Sequence, residues 1–314
     1  MSGIMNSILE AIGNTPLVRL NKVTEGLDSD ILVKCEYMNP SGSLKDRVAK
    51  YMLATAEKEG KLKPGYTVIE ASTGNMGIAL AMVCARIGYK FICCMPSEMT
   101  EERSRILKMY GAEIHDTGSI FMEEGVVQFV HREVAQEIEQ TTPNTWWARQ
   151  FSNWANIMAH KETTGYEIIK QTGGNLDAYV MSVGSAGTLM GVALAIREKL
   201  PEKTVKIVAV EPTSSPMLAE GKAGYHAIPG ISDGIIPEIL DKEIYDELVL
   251  VSDNDAKEMA HRLRSEEGLF CGISAGANVV ASMKVAREIG KGKTIVTILP
   301  DSADRYFSME EYVV

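Results

Sequence analysis

The chain has no apolar run long enough to cross a bilayer, so a membrane-spanning helix is not expected. Its first ten residues lack a basic start followed by an apolar stretch, so no secretory signal is expected either. Basic residues are outnumbered: 32 Lys and Arg stand against 42 Asp and Glu, a net charge of −10. Phosphate backbones are held by clustered Lys and Arg, so this balance argues against a general nucleic-acid binder. Cysteines are few and scattered, at positions 35, 84, 93, 94 and 271, with no Cys-x-x-Cys. Buried free thiols in a reducing cytoplasm account for them better than a disulfide framework. None of His115, His131, His160, His226 and His261 lies at metal-ligand spacing from another His or Cys, so no metal site is expected. Short repeats and low-complexity linkers are also missing.

What is present is an ordinary globular composition, 45% hydrophobic and 24% charged over 314 residues. That length implies one large or two modest domains. Apolar β-branched runs alternate with helical patterns. Strands are predicted at residues 66–70, 89–95, 178–182, 205–210 and 294–299, and helices at 77–87, 100–110 and 188–200. The alternation predicts an α/β fold of βαβ units with a largely parallel sheet. Ligands then bind at the carboxyl ends of strands, where helices begin. Residues 111–144 read as polar and helix-rich, the end of a first, smaller lobe.

Three small-residue loops follow predicted strands. The first, Glu70-Ala-Ser-Thr-Gly-Asn-Met-Gly77, opens a helix whose free amides suit a carboxylate, although a plain helix cap explains it equally well. The second, Val183-Gly-Ser-Ala-Gly-Thr-Leu-Met-Gly191, would cradle a phosphate. It lacks the lysine of a Walker A loop. With Glu211 about 20 residues on, it also resembles a loosened dinucleotide fingerprint, which keeps a nicotinamide or flavin enzyme open. The third, Cys271-Gly-Ile-Ser-Ala-Gly-Ala277, reads first as close backbone packing.

Lys45 sits in Asn39-Pro-Ser-Gly-Ser-Leu-Lys-Asp-Arg47, after a run of turn residues. A lysine in a loop is usually a solvated charge. A phosphate cradle, a carboxylate cradle, a further small-residue loop and this lysine together suit pyridoxal phosphate bound as a Schiff base. A binding module without the cofactor is disfavoured because Lys45 and Asn75 are both present.

With these motifs in order, the chain resembles the cysteine synthase family, the fold type II pyridoxal phosphate enzymes that include O-acetylserine sulfhydrylases and cystathionine β-synthases. The resemblance covers about residues 8–308. Ile12-Gly-Asn-Thr-Pro-Leu-Val-Arg-Leu20 matches the family's opening, and residues 39–47 its lysine motif. Residues 70–77 resemble its Thr-Ser-Gly-Asn-Thr substrate loop. Arg149-Gln-Phe-Ser-Asn153 with Lys161-Glu-Thr-Thr-Gly165 matches the segment whose Gln meets the substrate carboxylate. Residues 184–188 stand where the family has Gly-Thr-Gly-Gly-Thr.

The resemblance implies two lobes, each an open twisted, mostly parallel sheet with helices on both faces, as in the tryptophan synthase β chain. Residues 46–150 would form the smaller lobe, and residues 1–45 with 151–314 the larger, cofactor-binding one. It implies Lys45 as the Schiff-base lysine and base for the α-proton, and Asn75 on the ring O3′. Gly184, Ser185, Ala186, Gly187 and Thr188 would hold the phosphate. Ser274 would be a neutral partner for the ring nitrogen, which suits β-elimination through an α-aminoacrylate. Ser72, Thr73, Met76 through its backbone, and Gln150 would hold the substrate carboxylate. A cytoplasmic homodimer acting on a small amino acid is the family expectation.

Four positions depart from the sulfhydrylase pattern: Met76, Ala186, Trp154 and Asp233. Asp233 takes an Ala position in Gly230-Ile-Ser-Asp-Gly-Ile-Ile-Pro237, the counterpart of the family's Gly-Ile-Gly-Ala-Gly-Phe-Ile-Pro loop that faces the substrate. It reads either as a turn residue bonding its own backbone or as a general base for water. The favoured reaction is L-cysteine plus water to L-serine and hydrogen sulfide. Cysteine synthesis from O-acetylserine and sulfide is the alternative. Serine dehydration and cystathionine synthesis also remain open.

Overall fold

The computed structural model describes residues 3–72, 74–96, 100–118, 121–123, 126–128 and 130–309. The strands are β1 Leu17–Arg19, β2 Asp30–Cys35, β3 Thr67–Ala71, β4 Lys90–Met95, β5 Glu113–Asp116, β6 Phe121–Glu123, β7 Val126–Gln128, β8 Thr145–Trp147, β9 Ala178–Ser182, β10 Lys206–Pro212, β11 Glu247–Val251 and β12 Thr294–Leu299. They form a six-stranded sheet in the order β1-β2-β12-β9-β10-β11, a four-stranded sheet β5-β4-β3-β8, and a β6-β7 hairpin. Pairing is parallel throughout except between β1 and β2 and within the hairpin.

Sequence explains why the central strands lie where they do. Every residue of β9 and β12 is buried, and both read as apolar runs without alternation. A strand covered by helices on both faces has no solvent side to reserve for polar residues. The helix Asn75–Ile87 crosses against β4 and is apolar around most of its circumference. The helices Gly187–Lys199 and Ile273–Ile289 are similarly buried along one or more faces. Among the described residues, no helix is long and apolar enough to cross a membrane.

The predicted strands and helices all occur, with ends shifted by one or two residues. Residues 111–144 differ from expectation. Among the described residues they hold three short strands and one helix, Val130–Thr141, so this part is less helical than its polarity suggested. Polar content marks exposure there, and β5 is an exposed sheet edge.

The helix Lys45–Lys58 is tied to the six-stranded sheet by buried charge. Arg47 donates through Nε to Glu36 on one side (2.8 Å) and through Nη1 to Glu167 on the other (2.6 Å). Lys34 of β2 reaches the same Glu167 (2.7 Å) and the carbonyl of Thr15 (2.7 Å). Each ion thus has an opposite charge and further hydrogen bonds, the condition under which buried charge is tolerated.

Candidate active site

Three strand ends deliver the site. β3 runs into the helix Asn75–Ile87, β9 into the helix Gly187–Lys199, and β12 into Pro300, Asp301 and Ser302. A cavity of about 620 Å³ opens between them, walled on opposite sides by Lys45, Ser72, Asn75, Gln150, Ser185 and Asp233. Met76 lines it as well. A smaller adjoining recess is lined by Gly184, Ser185, Ala186 and Thr188, again with Lys45 and Asn75. Residues separated by up to 264 positions in sequence, Lys45 and Met309, therefore line one cavity. Thr73 lies outside the described residues.

Lys45 is the first residue of its helix, not a member of a free loop. Its Nζ lies 3.2 Å from the Ser185 hydroxyl. Burial lowers its pKa to about 8, against the opposing pull of Asp233 and Glu70. Withdrawal from water disfavours the ammonium form, so a useful fraction of the amine is neutral and nucleophilic near neutral pH.

The turn ahead of Gly187–Lys199 lines the recess, and the first amides of a helix have no intrahelical acceptor, a setting that suits an anion. Ala186 holds a left-handed conformation there, φ 66°. That explains why the family pattern carries glycine at this position, and Ala accepts the conformation at modest cost. A Cβ on Gly187 would overlap the side-chain amide of Asn156. Asn156 Nδ2 donates to the Ser185 hydroxyl (3.0 Å) and to the Gln150 carbonyl (2.8 Å). One buried amide therefore links the cradle to the Gln150 turn. Behind the cradle, Thr188 Oγ1 lies 3.2 Å from His160 Nε2, whose other ring nitrogen meets Thr164 at 2.9 Å.

On the facing side, Ser72 Oγ accepts from the amides of Gly74 (3.3 Å) and Gly77 (3.1 Å). The capping role and a place in the cavity wall are both real for this residue. Glu70 is buried behind it and accepts from Ala71 N, Trp147 Nε1 and Gln150 N at 2.9–3.2 Å. Burial raises its pKa to about 7.

Asn75 Nδ2 donates to Asp301 (2.7 Å), while its Oδ1 is buried with no partner among the described residues. Tyr306 also donates to Asp301 (2.6 Å). Ser274 is buried in the first turn of Ile273–Ile289, close to Asp301 through the Gly272 N to Asp301 O bond (3.0 Å). It is not among the residues that line the cavity or its adjoining recess.

Sequence reasoning missed Asp301, Asn156 and Glu70. Asp301 was signalled only by its place at the end of a buried strand. Asn156 and Glu70 are ordinary polar residues in sequence, and only their burial marks them. Glu211, the acid of the dinucleotide alternative, is already occupied: it accepts from the amides of Leu218 and Ala219, both at 2.8 Å.

A lysine with a weakened proton hold beside a helix-start turn, plus a buried amide oxygen open to accept a hydrogen bond among the described residues, is a set that fits pyridoxal phosphate. Residues 8–301 match the family described as pyridoxal-phosphate dependent enzyme. The chain belongs to that family. Within it, the chain is 42% identical to a cysteine synthase of Staphylococcus aureus over 309 residues, spanning 98% of this chain and 97% of that protein. The crystal structure of an Entamoeba histolytica cysteine synthase superposes with a TM-score of 0.92 at 40% identity, over 100% of this chain and 92% of that one. A hydrogen sulfide-producing enzyme of Fusobacterium nucleatum gives 0.91 at 37% identity, over 98% of this chain and 99% of the other. This cysteine synthase-like protein is therefore an enzyme that depends on pyridoxal phosphate.

Asp233 is partly buried in the cavity wall. Desolvation raises its pKa, with His226, Lys45 and Arg103 pulling the other way. Among the described residues, no hydrogen bond ties its carboxylate to its own backbone or to a neighbour.

Proposed function

We propose that this enzyme converts L-cysteine and water to L-serine and hydrogen sulfide, with Asp233 as the base that activates water. The observation that carries this is the untied carboxylate of Asp233 in the wall of the Lys45 cavity. A turn residue would spend its carboxylate on the loop's own amides. This one stays available, and its raised pKa makes it a stronger base while it remains ionised above that pKa.

Pyridoxal phosphate, when bound, supplies an electron sink for charge developing at Cα. Lys45 would hold it and carry the Cα proton. Gly184, Ser185, Ala186, Gly187 and Thr188 would hold its phosphate. Asn75 and Ser274 would meet the ring. Ser72, Thr73, Met76 and Gln150 would hold the substrate carboxylate. The C–S bond breaks and sulfur leaves as hydrosulfide, which takes up a proton. Asp233 removes a proton from water as the C–O bond forms at Cβ, then gives it up to solvent, which balances the proton the hydrosulfide took up. Lys45 returns its proton to Cα, and the sum is L-cysteine plus water to L-serine plus hydrogen sulfide. A negative Asp233 also repels an incoming hydrosulfide anion, more so as water is excluded.

The runner-up is cysteine synthesis from O-acetylserine and sulfide, supported by the name of the Staphylococcus aureus relative. Incubation with L-cysteine alone separates the two. Serine with sulfide supports water addition. Activity only on O-acetylserine with sulfide overturns it. Asp233→Asn should lower serine formation by roughly 10²-fold or more, the usual worth of a positioned base.

Two further expectations accompany this reading. The lobes would be residues 46–150 and residues 1–45 with 151–314; in support, all strands of the four-stranded sheet fall between Thr67 and Trp147. The enzyme would work in the cytoplasm, where five free, buried cysteines suit a reducing compartment, and as a homodimer.

A further inference from the structure

The carboxylate of Asp233 has no hydrogen bond of its own among the described residues, so its direction is set by the backbone that presents it. That backbone is held at the preceding residue. Ser232 adopts φ 48°, a left-handed conformation that serine seldom takes. The family pattern carries glycine there, which enters that region freely.

Each polar group of Ser232 is bonded to a different part of the fold. Its N–H donates to the carbonyl of Val183, just past β9 (2.8 Å). Its hydroxyl donates to the carbonyl of the fully buried Ser215, beyond β10 (2.9 Å). Its carbonyl, which belongs to the peptide unit joining it to Asp233, lies 3.1 Å from His226 Nε2.

The His226 ring has one possible tautomer in this arrangement. The Ile228 amide can only donate, and it points at His226 Nδ1 (3.3 Å), so Nδ1 carries the lone pair. Nε2 then carries the hydrogen and donates to the Ser232 carbonyl. The His226 segment is itself anchored, through Ala227 N to Asp253 (2.9 Å).

We propose that Ser232 and His226 form a clamp that aims the Asp233 carboxylate at Cβ, and so decide whether the eliminated substrate gains water or leaves to become pyruvate. Both are positioning residues, and the proposal rests on Asp233 being the base. The chemistry explains the pairing of Ser with Asp in this loop. A glycine at 232 would reach the same φ but would lose the hydroxyl tie to Ser215, leaving the turn held by its backbone bonds to Val183 and His226 alone and freer to shift. A base displaced by about 1 Å loses on the order of 10²-fold in effectiveness.

The test uses the holoenzyme with L-cysteine and reads the ratio of serine to pyruvate. Ser232→Gly and His226→Phe should each lower that ratio by roughly tenfold or more. His226→Gln, which can place an amide N–H near the position of Nε2, should restore most of it. A loss of contacts alone would not be repaired by that donor. Asp233→Asn is run beside them. If it lowers the ratio while Ser232→Gly and His226→Phe leave it unchanged, the clamp is overturned and the base stands. If Asp233→Asn leaves the ratio unchanged, the base reading fails first. Nitrogen-15 NMR of the unmodified holoenzyme gives an answer independent of turnover and of whether a variant folds. A His226 ring protonated at Nε2 and bare at Nδ1 is the expected result, and the opposite tautomer would overturn the clamp.

Discussion

The amine of Lys45 lies 3.2 Å from the hydroxyl of Ser185, so a helix N-terminal lysine meets an amide cradle 140 residues away. Asn156 fixes that hydroxyl from behind (3.0 Å).

The pH dependence of cofactor uptake follows from Lys45. Its pKa is lowered from 10.5 to about 8 by burial, so the neutral, attacking amine accumulates as pH rises through about 8. The rate at which cofactor-free enzyme gains pyridoxal phosphate absorbance should climb through that pH and level off above it. A climb that continues toward 10.5 would mean the amine is solvated. Lys45→Ala should abolish covalent attachment, read by borohydride reduction and mass spectrometry.

Gly187→Ala places a methyl group on the Asn156 amide. The amide must move, and its bonds to Ser185 and Gln150 are lost together. Overpacking of this kind costs roughly 1–3 kcal/mol. Equilibrium dialysis should show weaker cofactor binding than in the unaltered enzyme. Retained affinity would show that Asn156 is not the link between cradle and Gln150 turn.

Arg47→Leu removes the cation between Glu36 and Glu167. Glu36 is fully buried and would be left uncompensated but for Lys34, which does not touch it directly. Breaking one partner of a buried ion network costs about 3–5 kcal/mol. Urea unfolding should show that loss in the midpoint. A change below about 1 kcal/mol, the scale of exposed pairs, would mean the network is solvated.

Glu70→Ala orphans the donors of Ala71, Trp147 and Gln150. Each buried unpaired donor costs roughly 1–3 kcal/mol unless water reaches it. Thermal unfolding should drop, and KM for L-cysteine should rise because the Gln150 turn loses its anchor. A lower melting temperature with unchanged KM would confine Glu70 to a structural role.

The sequence alone determined the fold class and the main motifs. A short β-branched stretch such as Thr294-Ile-Val-Thr-Ile-Leu299 reads as a buried strand, and small residues after a strand mark a turn where backbone approaches closely. The lysine motif, the Asn75 loop and the 184–188 turn were legible because their residue types are constrained locally. Tertiary structure decided what those motifs do to one another. The lowered pKa of Lys45, the burial of Glu70 and Asp301, and the bridging of two turns by Asn156 arise from segments far apart in sequence. Asp233 shows the boundary most clearly. Ser-Asp-Gly is good turn chemistry in any sequence, and only the fold holds Ser232 from three sides and puts Asp233 in the cavity wall, with no hydrogen bond to its carboxylate among the described residues. Local residue types set what a segment can be. The environment that shifts a proton or aims an oxygen is a property of packing, which no local pattern records.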